Sequence, residues 1–122
     1  MAPKTILVID DDEDILTLLT TILKDAGYAV TVGRDVTSVY EIEKNPPALL
    51  LIDNWLQGKS GHDICWQLKN DLRTIAIPVV LISATAKLDE TAQRCGADDF
   101  ICKPFDIDVL LQKVGRFAPF QR

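Results

Sequence analysis

The chain is 122 residues long, 48% hydrophobic and 25% charged, with a formal net charge of −5. This composition excludes a disordered chain and is sufficient for one packed core, so a single domain over residues 1–122 is expected. The lack of a basic block argues against direct nucleic-acid binding, and no apolar run suits a signal peptide or a membrane span, which points to a cytoplasmic protein.

Ile6-Leu7-Val8-Ile9 is an unbroken apolar run that ends in Asp10, Asp11 and Asp12. A run without alternation reads as a strand buried on both faces. Ile15, Leu18, Leu19 and Ile22 then recur at helical spacing, with Asp12 or Glu13 at the N-terminus and Gly27 as the stop. Acid in a first turn suits the helix dipole, so part of this acidity has a purely structural reading. Tyr28 to Val32 is strand-like. Asp35 or Thr37 then caps a short helix through Val39, Ile42 and Lys44, ended by Asn45-Pro46-Pro47.

Ala48 to Ile52 is the next unbroken run, and Asp53 follows it at once. After a Gly-containing loop, Gly61 to Asn70 reads as a helix with Ile64, Cys65 and Leu68 facing inward. Pro78 introduces the strand Val79 to Ile82, which ends at Ser83. Leu88 to Cys95 is a short polar helix closed by Gly96, and Asp99 to Cys102 is a last strand ending at Lys103-Pro104. Asp106 caps a final helix that carries Ile107, Leu110, Leu111 and Val114 and runs out near Pro119. Cys65, Cys95 and Cys102 are odd in number and contain no C-x-x-C pair, so reduced thiols are expected.

Five strands alternating with five helices imply a parallel sheet covered on both faces by right-handed crossovers, an α/β three-layer doubly wound fold. In such a sheet all strands point one way, and ligands gather at their carboxyl ends. Four strand ends carry Asp10/Asp11, Asp53, Ser83 and Lys103, so these side chains converge on one rim. One acid after a strand is usually a helix cap; four strand ends with compatible chemistry are harder to explain that way.

Two carboxylates about 4 Å apart repel by roughly 4 kcal/mol at an effective dielectric near 20. Clustered acids therefore need a proton, a cationic side chain or a metal. Lys103 supplies one positive charge. The remainder suggests a hard divalent cation on oxygen ligands, most naturally Mg2+. A carboxylate beside Mg2+, a hydroxyl and an ammonium is equipped for phosphoryl transfer, with Asp53 attacking in line and Ser83 and Lys103 holding the outer oxygens.

The segments ILVIDDDEDI, LLIDNWLQGKSG, VVLISA and FICKPF resemble the four signature segments of the receiver domain of two-component response regulators. The resemblance is to the chemotaxis-regulator-like kind and spans about residues 4 to 117. It implies a flavodoxin-like strand order 2-1-3-4-5, with Asp53 as phosphoacceptor charged by a sensor histidine kinase or a histidine phosphotransfer protein. It implies Asp10, Asp11, Asp53 and the Trp55 backbone carbonyl as the Mg2+ set, Asp11 the closer ligand and Asp10 acting largely through water. Ser83 falls at the hydroxyl switch position, Lys103 at the phosphate-pairing position and Phe100 at the aromatic switch position, and the Lys103-Pro104 bond is expected to be cis. The output surface would be the fourth helix, fifth strand and fifth helix, read by a downstream protein, and two copies pair through that face in some family members.

Gln57 stands where the family usually has Pro, Ser60 where it often has Asp, and Trp55 is bulky beside the acceptor. Thr85 sits at a further rim position that tunes hydrolysis in the family. His62 invites a phosphorelay reading but, early in a helix beside Asp63, reads first as an exposed surface residue. Trp66 is either an edge aromatic or part of a partner patch, and Phe117 and Phe120 are expected to cover the core edge. Beside the phosphorylation-controlled switch, which catalyses its own phosphorylation and dephosphorylation without being a turnover enzyme, stands a receiver-like adaptor that never cycles phosphate. An aspartyl phosphatase is disfavoured because Trp55 occupies the place of its second acid, and a flavodoxin-type cofactor binder because no Gly- or Ser/Thr-rich loop follows the first strand. The Met1 start and polar Gln121-Arg122 end lean toward a stand-alone chain.

Overall fold

The computed structural model describes residues 3–34, 42, 44–56, 59–84 and 87–119. In chain order the elements are β1 (Thr5–Ile9), α1 (Glu13–Asp25), β2 (Ala29–Gly33), β3 (Leu49–Asp53), β4 (Trp55–Leu56), β5 (Lys59–Ser60), α2 (Gly61–Lys69), β6 (Val79–Ser83), α3 (Leu88–Cys95), β7 (Asp99–Cys102) and α4 (Ile107–Phe117). Five strands form one sheet in the order β2-β1-β3-β6-β7, every neighbouring pair parallel. Counting only these strands, that is the order 2-1-3-4-5. The helix expected from Asp35 to Lys44 falls largely outside the described residues, as do Gln57, Thr85 and Phe120.

The unbroken apolar runs are explained by two cores, one on each face. Ile6, Val8, Leu49, Leu51, Val80 and Ile82 point into a core closed by α1 and α4. Leu7, Ile9, Leu50, Ile52, Val79 and Leu81 point the other way, against α2 and α3. Successive side chains of a strand face opposite sides, so a strand sandwiched between helices must be apolar at every position. β2 is an edge strand, and there Val32 is 47% exposed.

Helix ends follow the sequence closely. The Asp12 carboxylate accepts from the backbone N–H groups of Asp14 and Ile15, and Asp106 accepts from those of Asp108 and Val109. Both are N-caps, so Asp12 leaves the acidic trio and serves the helix. Gly27 and Gly96 follow α1 and α3 with φ of +103° and +79°, a backbone region that glycine enters without steric cost.

Three details differ from the sequence reading. The buried face of α1 is Leu16, Leu19, Ile22 and Leu23, while Leu18 is 45% exposed. Apolar residues at 15, 16, 18, 19, 22 and 23 make a stripe wider than the contact, and periodicity alone does not say which edge is covered. In α4, Leu110 and Val114 are buried, but Ile107 is half exposed. The loop expected after Asp53 also contains a small antiparallel ribbon, β4 paired with β5 (Trp55 with Ser60, Leu56 with Lys59). Two-residue strands are too short to leave a periodic trace.

Candidate functional site

The parallel register brings the strand ends level. Ile9 of β1 lies beside Ile52 of β3, Asp53 beside Ile82 of β6, and Ser83 beside Cys102 of β7. The next residues in each strand direction therefore share one rim. Carboxylate oxygens of Asp10, Asp11 and Asp53 lie within 4.8 Å of one another, Asp11 exposed and the other two buried. Lys103 Nζ donates to Asp10 Oδ2 at 3.0 Å and stands 3.6 Å from Asp53 Oδ1. Asp10 also accepts the Asp12 backbone N–H at 2.9 Å, so its two oxygens are engaged by different donors.

Ser83 is buried, and the ladder places it next to Lys103, whose backbone N–H donates to the Ser83 carbonyl at 2.9 Å. Asp53, Trp55, Ser83, Ala84 and Lys103 line one cavity of 320 Å³ open to solvent. The Lys103-Pro104 peptide is cis. The spatial convergence read from the strand ends is thus present, with residues from the ends of β3, β6 and β7 around one small opening.

The electrostatics of Asp53 follow from this crowding. Burial, then the Asp10 charge, pushes its carboxyl up to about 6, against the pull of Lys103 and the Trp55 backbone N–H; Asp11 adds a smaller push upward. A carboxyl with such a value is ionised at neutral pH yet held at a cost, the condition of a group that gains from a cation or from losing its charge. Three oxygen donors of like charge, with one lysine among them, fit a hard divalent cation and could hold a metal ion.

The chain beyond Asp53 is fixed in part by Asn54, which sequence reasoning did not single out. Asn54 is buried, and its side-chain oxygen meets the His62 backbone N–H at 3.0 Å and the His62 ring Nδ1 at 2.8 Å. His62 thus stands at the surface with its side chain 40% exposed, but with a specific partner that the sequence reading did not include. The Nδ1 contact requires the ring proton on that nitrogen, because the Asn oxygen only accepts. Gly61 donates its N–H to the Asn54 carbonyl at 2.8 Å, and a Cβ built on Gly61 would stand 2.2 Å from the Asp53 carbonyl oxygen. Only glycine permits that approach. The Trp55 side chain is 62% exposed at the cavity mouth.

Phe100, on β7, is half buried and packs against the α2–α3 core. Lys113 of α4 holds it from outside: Nζ sits 4.8 Å from the ring centroid, donates to the Phe100 carbonyl at 2.6 Å and reaches Asp99 Oδ1 at 3.1 Å. Nothing in the spacing of 99, 100 and 113 announces this clamp, because it spans a strand and the following helix. At the C-terminal end, Phe117 packs partly buried against the α1–α4 core, and the Tyr28 hydroxyl donates to the Ala118 carbonyl at 2.6 Å.

A five-stranded parallel sheet in this order, with an acidic pocket and a lysine at its carboxyl rim, defines the flavodoxin-like receiver class. The profile of the response regulator receiver domain matches residues 6–115. The chain belongs to that family, the signal-transduction domain of two-component systems. It is 35% identical over 108 residues to the phosphate regulon transcriptional regulatory protein PhoB of Pseudomonas aeruginosa, covering 86% of this chain and 47% of that protein. Among solved structures it resembles the receiver domain of NtrX from Brucella abortus, 35% identical with a TM-score of 0.83 over 93% of this chain and 97% of that one. A putative response regulator from Chloroflexus aurantiacus superposes with a TM-score of 0.88 at 28% identity, covering 95% of this chain and 98% of that one. The chain spans about half the length of the first curated relatives it matches.

Proposed function

We propose that this receiver is a switch set by phosphorylation of Asp53 and reset by hydrolysis. The observation that carries the reading is the meeting of Asp10, Asp11, Asp53 and Lys103 at one opening. An ionised Asp53 oxygen attacks the phosphorus of a phosphohistidine on a sensor histidine kinase or phosphotransfer protein. The P–N bond breaks and its electron pair leaves with the imidazole, so one covalent bond replaces another. Lys103 is close enough to both acids to follow the negative charge as it moves from carboxylate to phosphoryl oxygens. Ser83, lining the same cavity, offers a hydroxyl to one of those oxygens.

Asp10, Asp11, Asp53 and the Trp55 carbonyl would hold Mg2+. Bound there, the ion supplies a Lewis acid that offsets charge on the phosphoryl oxygens. The chain itself does the positioning: β1 and β3 fix the acids, Gly61 and Asn54 fix the segment that carries Trp55, and the cavity admits water for the hydrolysis that ends the signal. In this reading the protein catalyses its own modification and is not a turnover enzyme on a metabolite, and residues 4 to 117 form one functional unit.

The readout surface is α3, β7 and α4, the elements expected as fourth helix, fifth strand and fifth helix. Ser83 and Phe100 are its switch residues, with Phe100 changing environment when Ser83 engages the phosphoryl group. A downstream protein, or a second copy of the chain, reads that surface. Nuclear magnetic resonance of Phe100 with Mg2+ and beryllium fluoride tests the reading. Shifts at Phe100 and across α3–β7–α4, absent in Asp53→Ala, are expected. An unchanged spectrum with the ligand bound would leave the non-cycling adaptor as the better description.

A further inference from the structure

Asn54, Ser60 and His62 meet one residue past Asp53. Ser60 stands at the N-cap of α2 with a hydroxyl of the kind that usually caps, yet it makes no capping bond. Asn54 does that work from just beyond β3: its side-chain oxygen accepts the His62 backbone N–H at 3.0 Å, one of the first-turn donors that have no partner inside the helix. The Ser60 hydroxyl is turned to the His62 ring instead, 3.3 Å from Nε2. A backbone N–H can only donate, so its bond fixes which atom of the Asn54 amide is the oxygen. That oxygen in turn fixes the ring: Nδ1, 2.8 Å away, carries a proton, and in the neutral imidazole Nε2 accepts from Ser60.

We propose that His62 is a positioning residue for the site at Asp53: its ring clasps both ends of the loop that carries Trp55 and so holds the Trp55 backbone carbonyl ready for Mg2+. This role rests on the function proposed above, in which that carbonyl is one of the metal ligands. The other three ligands are carboxylates at the ends of β1 and β3, which the five-stranded sheet holds in place. Trp55 lies past the end of β3, in a ribbon of two two-residue strands, and its side chain is exposed, so neither the large sheet nor its own packing anchors it. Its backbone is placed through its neighbours: Asn54 before it, and Ser60, with which it pairs across the ribbon. The His62 ring is bonded to both of these.

As a cap alone, Asn54 needs only the backbone N–H, which any residue but proline at position 62 supplies. The ring adds a second bond to the same oxygen and a bond to the far end of the loop, and no cap requires either. Replacing the ring leaves the backbone bond to Asn54 and the Gly61 N–H bond to the Asn54 carbonyl in place, so α2 keeps its first turn and only the clasp is lost. Groups that support a metal ligand from one layer out change affinity about 10–100-fold when removed. His62 acts through the neighbours of the ligand, so its effect falls at or just below the lower end of that range.

The test is calorimetric titration of Mg2+ into the unaltered chain and three variants, together with nitrogen-15 spectra of the His62 ring, the single histidine of the chain. The ring should show a protonated Nδ1. His62→Ala should bind Mg2+ about 5–10-fold more weakly. His62→Asn, whose amide N–H stands near the place of Nδ1, should recover most of that loss; His62→Gln, whose amide reaches the place of Nε2, should not. A bare Nδ1 in the unaltered chain would overturn the proposal, as would full Mg2+ affinity in folded His62→Ala or equal recovery by the two amides. If His62→Ala does not fold, the ring spectrum and the difference between the two amides still decide. An unaltered chain that binds no Mg2+ would overturn the function proposed above and this role with it, whereas Mg2+ binding that His62→Ala leaves intact overturns this role alone.

Discussion

The middle of the sheet and its carboxyl rim are built from the same strands but obey different rules. In the middle, Leu49 to Ile52 are all buried between two helical layers, and each contributes through area and fit. At the rim, one residue further on, Asp53 is buried among like charges and held by a single lysine. Mid-sheet positions are interchangeable within limits of size and shape. Rim positions are not under the proposed function, in which each would supply a different atom: an attacking oxygen, a hydroxyl, an ammonium, a backbone carbonyl. Stability concentrates in the first region and the proposed chemistry in the second, where crowding of like charge appears as a raised Asp53 carboxyl.

The sharpest way to break this contrast is to damage the middle and ask whether the rim survives. Leu51→Ala leaves a cavity in the α1–α4 core and should cost about 3–4 kcal/mol in urea unfolding, with Mg2+-dependent phosphorylation retained below the transition. Gly61→Ala drives a methyl group into the Asp53 carbonyl and should cost about 3 kcal/mol. Unlike Leu51→Ala, it should also weaken Mg2+ binding in calorimetry, since the Trp55 segment must shift. Lys103→Met leaves Asp10 buried without its cation and should cost about 2–3 kcal/mol in metal-free buffer, a loss that added Mg2+ reduces.

Asp53→Asn runs in the opposite direction. The folded chain holds the Asp53 proton up to about 6, against an ordinary value of 3.8. Between those values the folded state binds more protons than the unfolded one, so this group's contribution falls as pH rises through the window and is flat above it. Removing the charge should therefore stabilise the metal-free protein by about 1–2 kcal/mol at neutral pH, and the gain should vanish below about pH 4. A gain that persists into acid would assign it to packing instead. The smallest effect is at the mouth of the cavity. Trp55→Asn should shorten the phosphoryl half-life a few-fold, about 1 kcal/mol or less in barrier, by opening the cavity to water. An unchanged half-life would remove Trp55 as a shield.

How much the sequence reveals divides along the same line. The middle is legible because burial on two faces demands an unbroken apolar run, and β1, β3 and β6 each carry one. The rim is legible because a parallel sheet forces strand ends together, so the sequence alone groups Asp10, Asp53, Ser83 and Lys103. What escapes is contact between short, irregular pieces. The Asn54–His62 pair and the Lys113 clamp on Phe100 depend on side chains crossing between elements, and neither spacing nor residue type predicts that. The exposed Leu18 marks another limit, since an apolar stripe wider than its contact leaves the buried edge undetermined.

The central claim is that one opening gathers the groups needed to place a phosphoryl on Asp53. Intact-mass spectrometry after incubation with acetyl phosphate and Mg2+ tests it most directly. The account predicts a single phosphoryl adduct that maps to Asp53, is lost on chelation of Mg2+ before the donor is added, and is absent in Asp53→Ala. An adduct that persists undiminished in Asp53→Ala, or none in the unaltered protein with Mg2+ bound, would contradict it.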